Sequence, residues 1–397
     1  MRNPRQRNEA SEDAGSQKRI RSGGKEDERD RRVCMSNKDK TVVVGMSGGV
    51  DSSVAAYLLK EQGYNVIGVT MQIWQDESEC RLENEGGCCG VTAVEDARRV
   101  AGVLGIPYYV MNFKEEFQKN VIDYFVDEYL HGRTPNPCIA CNRYVKWESL
   151  LTKSLAIGAD YIATGHYARI RHLDSGRYAI ANSVTAKKDQ TYALYGLTQN
   201  QLAHTLMPVG DYEKPKVREI AEQAGLPVAH KSDSQEICFV PDGDYASFIE
   251  RDSGIVMPEG NFVTKDGEIL GRHRGITHYT VGQRRGLDLP MGRRVFVTEI
   301  RPETNEVVVG EAEDVWSDTL MANRLNFMGI GDLPLGEEDH FLAKIRYNHA
   351  GTGCRVKRTG EDEITCVFDD PVRAVTPGQA LVFYKDDYVA GGGVIVS

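Results

Sequence analysis

The sequence predicts a doubly wound α/β domain with a parallel sheet, followed by a small central domain and a C-terminal all-β barrel. Three observations carry this. Short β-branched runs alternate with helix-spaced apolar patterns up to about residue 215. A glycine-serine string directly follows the first of those runs. From Asn261 onward the chain turns into short strands separated by glycine turns, with at least six such runs between residues 296 and 397.

Thr41-Val42-Val43-Val44 reads as a buried parallel strand ending at Gly45. Val54 to Gln62 reads as a helix, with Ala55, Leu58 and Leu59 at helical spacing and Gly63 as its stop. Val66 to Thr70 is the second strand, Ala93 to Leu104 a helix, Tyr108-Tyr109-Val110 the third strand and Tyr161 to Thr164 the fourth. A helix over Val217 to Ala224 leads into the loop Ser232 to Phe239. The expected divisions are an extension over 1–39, a catalytic domain over 40–215, a central domain over 216–295 and the barrel over 296–397.

With 397 residues, the chain is too long for one ordinary core. Its 41% hydrophobic and 27% charged content is that of a soluble protein. No run approaches the ~20 apolar residues of a membrane span, and the N-terminus lacks a secretory apolar segment. The expected location is therefore cytoplasmic, with no membrane partner. A net charge of -10 argues against a surface that coats nucleic acid uniformly, but not against a local basic groove. Residues 1 to 40 hold 12 basic and 8 acidic side chains and almost nothing apolar, so they are expected to be disordered. Their acidic residues argue against an organellar transit peptide, and Met35 is a candidate start.

The string Gly45-Met46-Ser47-Gly48-Gly49-Val50-Asp51-Ser52-Ser53 lies between the first strand and the first helix, where open α/β sheets bind ligands. Glycines admit a phosphate to the backbone, and a helix N-terminus offers N–H groups. Asp51 is a candidate ligand for magnesium held against the phosphates. No Gly-Lys-Ser/Thr follows, so the usual phosphate-binding lysine is missing, and the pattern is not Gly-x-Gly-x-x-Gly. A glycine-rich turn that binds nothing is the bland alternative.

Nine cysteines, an odd number in a long chain, argue against a disulfide framework. Cys34, Cys354 and Cys366 read as isolated, structurally neutral thiols. Cys138 and Cys141 follow the proline-defined loop Thr134-Pro135-Asn136-Pro137. Cys141 fits the N-terminus of the following helix, where a thiol is more readily ionised, with Asn142 as a candidate cap. Cys238 lies about 100 residues further on, in a polar loop. A structural zinc site lacks a second Cys-x-x-Cys. A reactive thiol pair, an iron–sulfur cluster on Cys138, Cys141 and Cys238, and three inert thiols remain open. For Cys80, Cys88 and Cys89 the inert reading is favoured.

Six separated motifs resemble the tRNA-specific 2-thiouridylases, over nearly all of the chain from Lys40 onward. They are the Ser47–Ser53 string, Gly132-Arg133-Thr134-Pro135-Asn136-Pro137, Ala163 to Tyr167, Lys188-Asp189-Gln190-Thr191-Tyr192, Asp233-Ser234-Gln235 to Cys238-Phe239, and His278 to Leu287. The loop itself resembles that of the ATP pyrophosphatases, which implies an adenine nucleotide α-hydrolase-like fold.

The resemblance implies ATP, with Mg2+, on Gly45 to Ser52, with Met71 at the adenine and Gly165 at the rim. It implies adenylylation of the C2 oxygen of the wobble uridine, then sulfur transfer. Cys238 would carry a persulfide received from an upstream sulfur carrier or cysteine desulfurase. Cys141 would be the nucleophile and end in a disulfide with Cys238. Asn136, Pro137 and Cys138 would meet the target base, which must be flipped out of its stack. His166, Lys188, Asp189, Gln190, Arg346, Tyr347 and Gln379 would touch the remaining tRNA. Gln283-Arg284-Arg285 and Arg293-Arg294 are basic spots suited to phosphate. Many members carry Asp where this chain has Cys138, which keeps the cluster route open here. Alternatives are an adenylylating ligase that needs no cysteine pair and a non-catalytic tRNA-binding protein.

Overall fold

The computed structural model describes residues 37–73, 91–232 and 237–397. The extension up to residue 36, Cys34, Cys80, Cys88, Cys89 and the motif residues Asp233, Ser234 and Gln235 lie outside the described residues.

The first unit is built on strands β1 (Thr41–Gly45), β2 (Asn65–Gln72), β3 (Tyr108–Asn112) and β4 (Tyr161–Ala163). A hairpin follows, β5 (Ala168–His172) and β6 (Tyr178–Asn182), then the short β7 (Thr205–Leu206). Five of these form a parallel sheet in the order β3-β2-β1-β4-β7. The chain leaves β1 toward β2 on one side and later returns to β4 on the other, so the switch point lies between β1 and β4.

Helices cover both faces. The sheet's central residues Val42, Val43 and Val44 are fully buried, and the pleat sends them to opposite sides. Val42 and Val44 join a cluster with Val54 and Leu59 of α1 (Val50–Glu61) and Val100 and Leu104 of α2 (Val91–Leu104). Val43 joins the opposite cluster, with Phe117 and Phe125 of α3 (114–130) and Trp147 and Leu150 of α4 (137–156). Both α3 and α4 contain a stretch wound as π-helix, Gln118–Ile122 and Cys141–Leu150. Short α5 (Gln199–Ala203), with a Thr198/Gln201 capping box, leads into β7. Helix α6 (Lys214–Gln223) returns to the α1 side through Val217 and Ile220.

After α7 (Tyr245–Ser253) comes a four-stranded sheet in the order β10-β11-β8-β9. Its strands are β8 (Gly260–Val263), β9 (Ile269–His273), β10 (Phe296–Arg301) and β11 (Glu306–Gly310). The expected barrel boundary at 296 would cut this sheet. Val307 and Val308 pair with Phe262 and Val263, and the side chains of Val307 and Val309 bury with Phe262 and Tyr279, which is why β10 and β11 stay with the central unit.

The last unit is β12 (Trp316–Phe327), β13 (Glu338–Lys344), β14 (Thr352–Gly360), β15 (Glu363–Arg373), β16 (Ala380–Lys385) and β17 (Tyr388–Ile395). They run β12-β15-β14-β13-β16-β17, and β17 pairs back onto β12, closing a six-stranded antiparallel barrel. Closure leaves no edge within the ring. The β5–β6 hairpin extends from β17 through Tyr388 and Ala181. Cys354 and Cys366 are not isolated. They lie buried on neighbouring strands β14 and β15, and the bond from Cys354, together with burial, pushes the Cys366 thiol far up.

The core on the α3/α4 face runs without a break into the barrel through Met328, Val382, Tyr384 and Val389. Phe239 sits in it, 1% exposed, with ring centroids 5.7 Å from Phe117, 5.3 Å from Phe125 and 5.1 Å from Phe248. Phe239→Ala is expected to cost about 3–5 kcal/mol. Urea denaturation should show this as a lowered midpoint, and an unchanged midpoint would refute the packing described.

Candidate functional site

The nucleotide-type loop follows β1, and the end of β4 lies beside it. Helix α1 begins at Val50, four residues earlier than its apolar spacing suggests, so Val50 to Ser53 form its first turn. Gly49 stands at the N-cap with no capping side chain. The first-turn N–H groups are thus offered to an anion rather than consumed. Hydroxyls hold the loop in shape. Ser53 Oγ donates to the Gly49 carbonyl at 2.7 Å, and Ser52 Oγ donates to the same carbonyl while accepting from Ser47 N–H at 3.2 Å.

Other loop residues set its position. Met46 is 2% exposed and bonds Val69 through its N–H, so only its backbone serves the loop. Gly48 has φ +70°, and a Cβ there would sit 2.4 Å from the Ala93 carbonyl oxygen. Met71 is half-buried at the end of β2 against the α3/α4 core. Gly165 acts by being small, because a Cβ would lie 2.5 Å from Ser52 N and 2.6 Å from Asp51 C.

Asp51 is already engaged. Lys214 Nζ, at the start of α6, lies 2.9 Å from both carboxylate oxygens, and the Tyr167 hydroxyl donates to Oδ1 at 2.7 Å. Lys231 Nζ reaches the same loop at the Gly48 carbonyl, 3.2 Å away, and pairs with Asp96 at 2.8 Å. The cation missing from the loop sequence is therefore present in space. Sequence reasoning missed Lys214 and Lys231 and gave Tyr167 no role beyond its place in a motif; all three lie far from the loop in the chain. A magnesium ion at Asp51 fits only once Lys214 has moved away.

The cysteine loop is built differently from expectation. Helix α4 begins at Pro137, not at Cys141. Asn136 is its N-cap, and Oδ1 accepts from Cys138 N–H at 3.1 Å and Ile139 N–H at 3.3 Å. Proline at the first helical position suits this start. So exposed Cys138 occupies the helix N-terminus, while half-buried Cys141 lies one turn in, where the π-wound stretch begins. Asn142 does not cap the helix. It is buried, donates to the Ala193 carbonyl and accepts from Lys146. Cys141 and Cys238 both pack against the α3/α4 core. Among the described residues no three His, Cys, Asp or Glu side chains gather to hold a metal ion. Cys138, Cys141 and Cys238 are therefore not gathered as a three-ligand set in this structure.

The loop before α4 is clamped on two sides. Arg133 pairs bidentately with Glu128, whose side chain is 3% exposed, at 2.7 and 2.9 Å. The barrel supplies the other side. Gln379 Nε2 donates to the carbonyl of Thr134 at 2.8 Å, and Thr134 N–H bonds the Pro377 carbonyl at 2.8 Å. Gln379 thus holds this loop.

The remaining expected contacts divide. Lys188 is exposed. Asp189 accepts from Ser183 N–H and Thr191 N–H, and Gln190 Oε1 accepts from Tyr167 N–H, so both brace their own segment. Arg346 spends one guanidinium nitrogen on the Arg373 carbonyl. Tyr347 is 40% exposed. Burial raises its hydroxyl pKa, and Asp189 and Cys138 are close enough to add to that. His166 accepts or donates at Thr164 Oγ1, 2.7 Å away, beside Trp147. Burial, then nearby Lys146, lowers its pKa well below 6.5, so it is neutral at pH 7 and offers no cation to phosphate. Arg284, Arg293 and Arg294 line one cleft of about 560 Å³ in the central unit.

A phosphate-suited loop at the switch point, next to a second set of elements carrying thiols, defines an α/β nucleotide-type enzyme joined to two β units. Family models agree in extent: a tRNA methyl transferase HUP domain over residues 40–242, a PRC-barrel domain over 247–311 and an aminomethyltransferase β-barrel domain over 317–395. A tRNA-specific 2-thiouridylase MnmA from Lachnoclostridium phytofermentans is 66% identical over 90% of this chain and 99% of its own. One from Clostridioides difficile is 55% identical over 90% and 98%. The chain belongs to the tRNA-specific 2-thiouridylase family. A solved 4-thiouridine synthetase–RNA complex with bound ATP is 18% identical, covering 54% of this chain and 50% of that one, with a TM-score of 0.30.

Gly165→Ala is expected to displace the first turn of α1, because its clash is with backbone. Nucleotide affinity should fall at least tenfold, an order-of-magnitude figure for a lost phosphate cradle. Calorimetric titration with ATP checks this, and unchanged affinity would contradict the packing role.

Proposed function

We propose that the protein 2-thiolates the wobble uridine of tRNA, using ATP to activate the uracil C2 oxygen. The observation that carries this reading is the 66% identity to a named 2-thiouridylase over almost that enzyme's whole length, with Cys141 and Cys238 packed on one core. The backbone of Gly45, Met46, Ser47, Gly48, Gly49, Val50, Asp51 and Ser52 would bind the ATP phosphates, with Met71 toward the adenine and Gly165 backing the loop. A magnesium ion accompanying ATP would shield phosphate charge, held by Asp51.

The chemistry balances without an external oxidant. The C2 oxygen attacks the α-phosphorus and pyrophosphate leaves. A persulfide on Cys238, supplied by a cysteine desulfurase or a sulfur carrier, attacks C2 through its terminal sulfur. AMP departs with the former C2 oxygen. The Cys141 thiolate then attacks the Cys238 sulfur, freeing 2-thiouridine and leaving a Cys141–Cys238 disulfide. The two thiols supply the two electrons that turn sulfane sulfur into thiocarbonyl sulfur. An external reductant then reopens the disulfide for the next turnover.

Asn136, Pro137 and Cys138 would face the flipped base. Exposed Lys188, with Arg346 and Tyr347, would contact the surrounding tRNA. The arginines of the central cleft are suited to backbone phosphate.

Purified protein incubated with ATP, tRNA and a persulfide source should yield 2-thiouridine in the nuclease digest, read by mass spectrometry. Cys141→Ser and Cys238→Ser should each lower that yield at least a hundredfold, on the order of what loss of an essential nucleophile costs. Full yield in either variant would sink the thiol assignment. Pyrophosphate release without thiolation in the native protein would indicate a ligase instead.

A further inference from the structure

We propose that Lys214 is a catalytic residue of the adenylylation half-reaction: it binds the ATP phosphate chain and offsets the charge of the departing pyrophosphate. The inference rests on the ATP-dependent reading above. It starts from an imbalance in the loop. The string from Gly45 to Ser53 contains no lysine or arginine, yet it must receive a highly anionic chain beside the carboxylate of Asp51. An uncompensated carboxylate there would repel the ligand that the helix N-terminus attracts.

Lys214 answers that need from a separate element. Its side chain is 13% exposed and its Nζ touches both Asp51 oxygens at 2.9 Å. Asp51 lies in the first turn of α1, so a phosphate docked on that turn arrives within reach of the same ammonium. The ammonium is a point charge on a flexible stem, which lets it turn from carboxylate to phosphate without moving α6. Tyr167 makes the exchange tolerable. Its hydroxyl stays on Asp51 Oδ1 at 2.7 Å, so the carboxylate keeps a donor after the ammonium leaves. The Tyr167 ring, whose centroid is 5.7 Å from Nζ, also borders the path. Lys231 is less suited to the role, being 38% exposed and paired with Asp96.

The test is nucleotide binding in EDTA, where no divalent ion takes part, with adenosine as the phosphate-free control. The native protein should bind ATP more tightly than adenosine. Lys214→Met should weaken ATP at least tenfold and leave adenosine within twofold, and Lys214→Arg should recover part of the loss. The double variant Lys214→Met, Asp51→Asn removes both charges; it should regain only the part of the loss that comes from repulsion by Asp51 and still bind ATP more than twofold more weakly than the native protein. Recovery to within twofold of native affinity in the double variant would overturn the proposal, because Lys214 would then merely offset Asp51. Unchanged ATP affinity in Lys214→Met, or equal losses of ATP and adenosine, would overturn it too. If the native protein bound no ATP, the functional reading itself would fail.

Discussion

The bidentate pair between Arg133 and almost fully buried Glu128 is the contact on which the thiol-bearing part of the site depends. Glu128 is buried while Arg133 stays 36% exposed, so the pair is costly to break from the arginine side, which would leave the buried carboxylate without its bidentate partner. From it the chain runs straight into Thr134, gripped by Pro377 and Gln379 of the barrel, and then into Asn136, which caps α4. Gly378 shows how close that grip is: its φ is +91°, and a Cβ there would lie 2.9 Å from Thr134 N. The barrel is therefore part of the site's scaffold, although it contributes no thiol to it.

The same core joins the two halves of the chemistry. Val43 of β1 presses on the α3/α4 cluster, and Val42 and Val44 press on the α1 side from the same strand. One strand thus fixes the nucleotide loop at its end and backs the helix that carries Cys138 and Cys141. Phe239, packed on Phe117 and Phe125, brings the segment after Cys238 to this cluster. Rigid elements of this kind suit a reaction in which two activated groups must meet at one carbon.

Much of this was legible in the sequence, for physical reasons. A β-branched run, a glycine-serine turn and a helical spacing are local signals, and they located β1, the loop and α1. At α4 the stronger start signal is Asn136 followed by Pro137, and it places the helix start four residues before Cys141. What the sequence could not disclose is contact between distant segments. Lys214 stands 163 residues from Asp51, and Gln379 stands 245 residues from Thr134. Likewise, β10 and β11 look like barrel strands in isolation. Only pairing with β8 assigns them to the central sheet. Nor does the sequence signal that Asp189, Gln190 and Gln379, expected at the tRNA, make bracing contacts within the protein.

The account stands on a single chemical event, transfer of the uracil C2 oxygen to the α-phosphorus of ATP before sulfur arrives. A tRNA labelled with heavy oxygen at C2 of the wobble uridine reports that event directly. The account predicts that the label appears in the phosphate of released AMP, one atom for each thiolated uridine. Label found in water, or in pyrophosphate, with AMP unlabelled would contradict it.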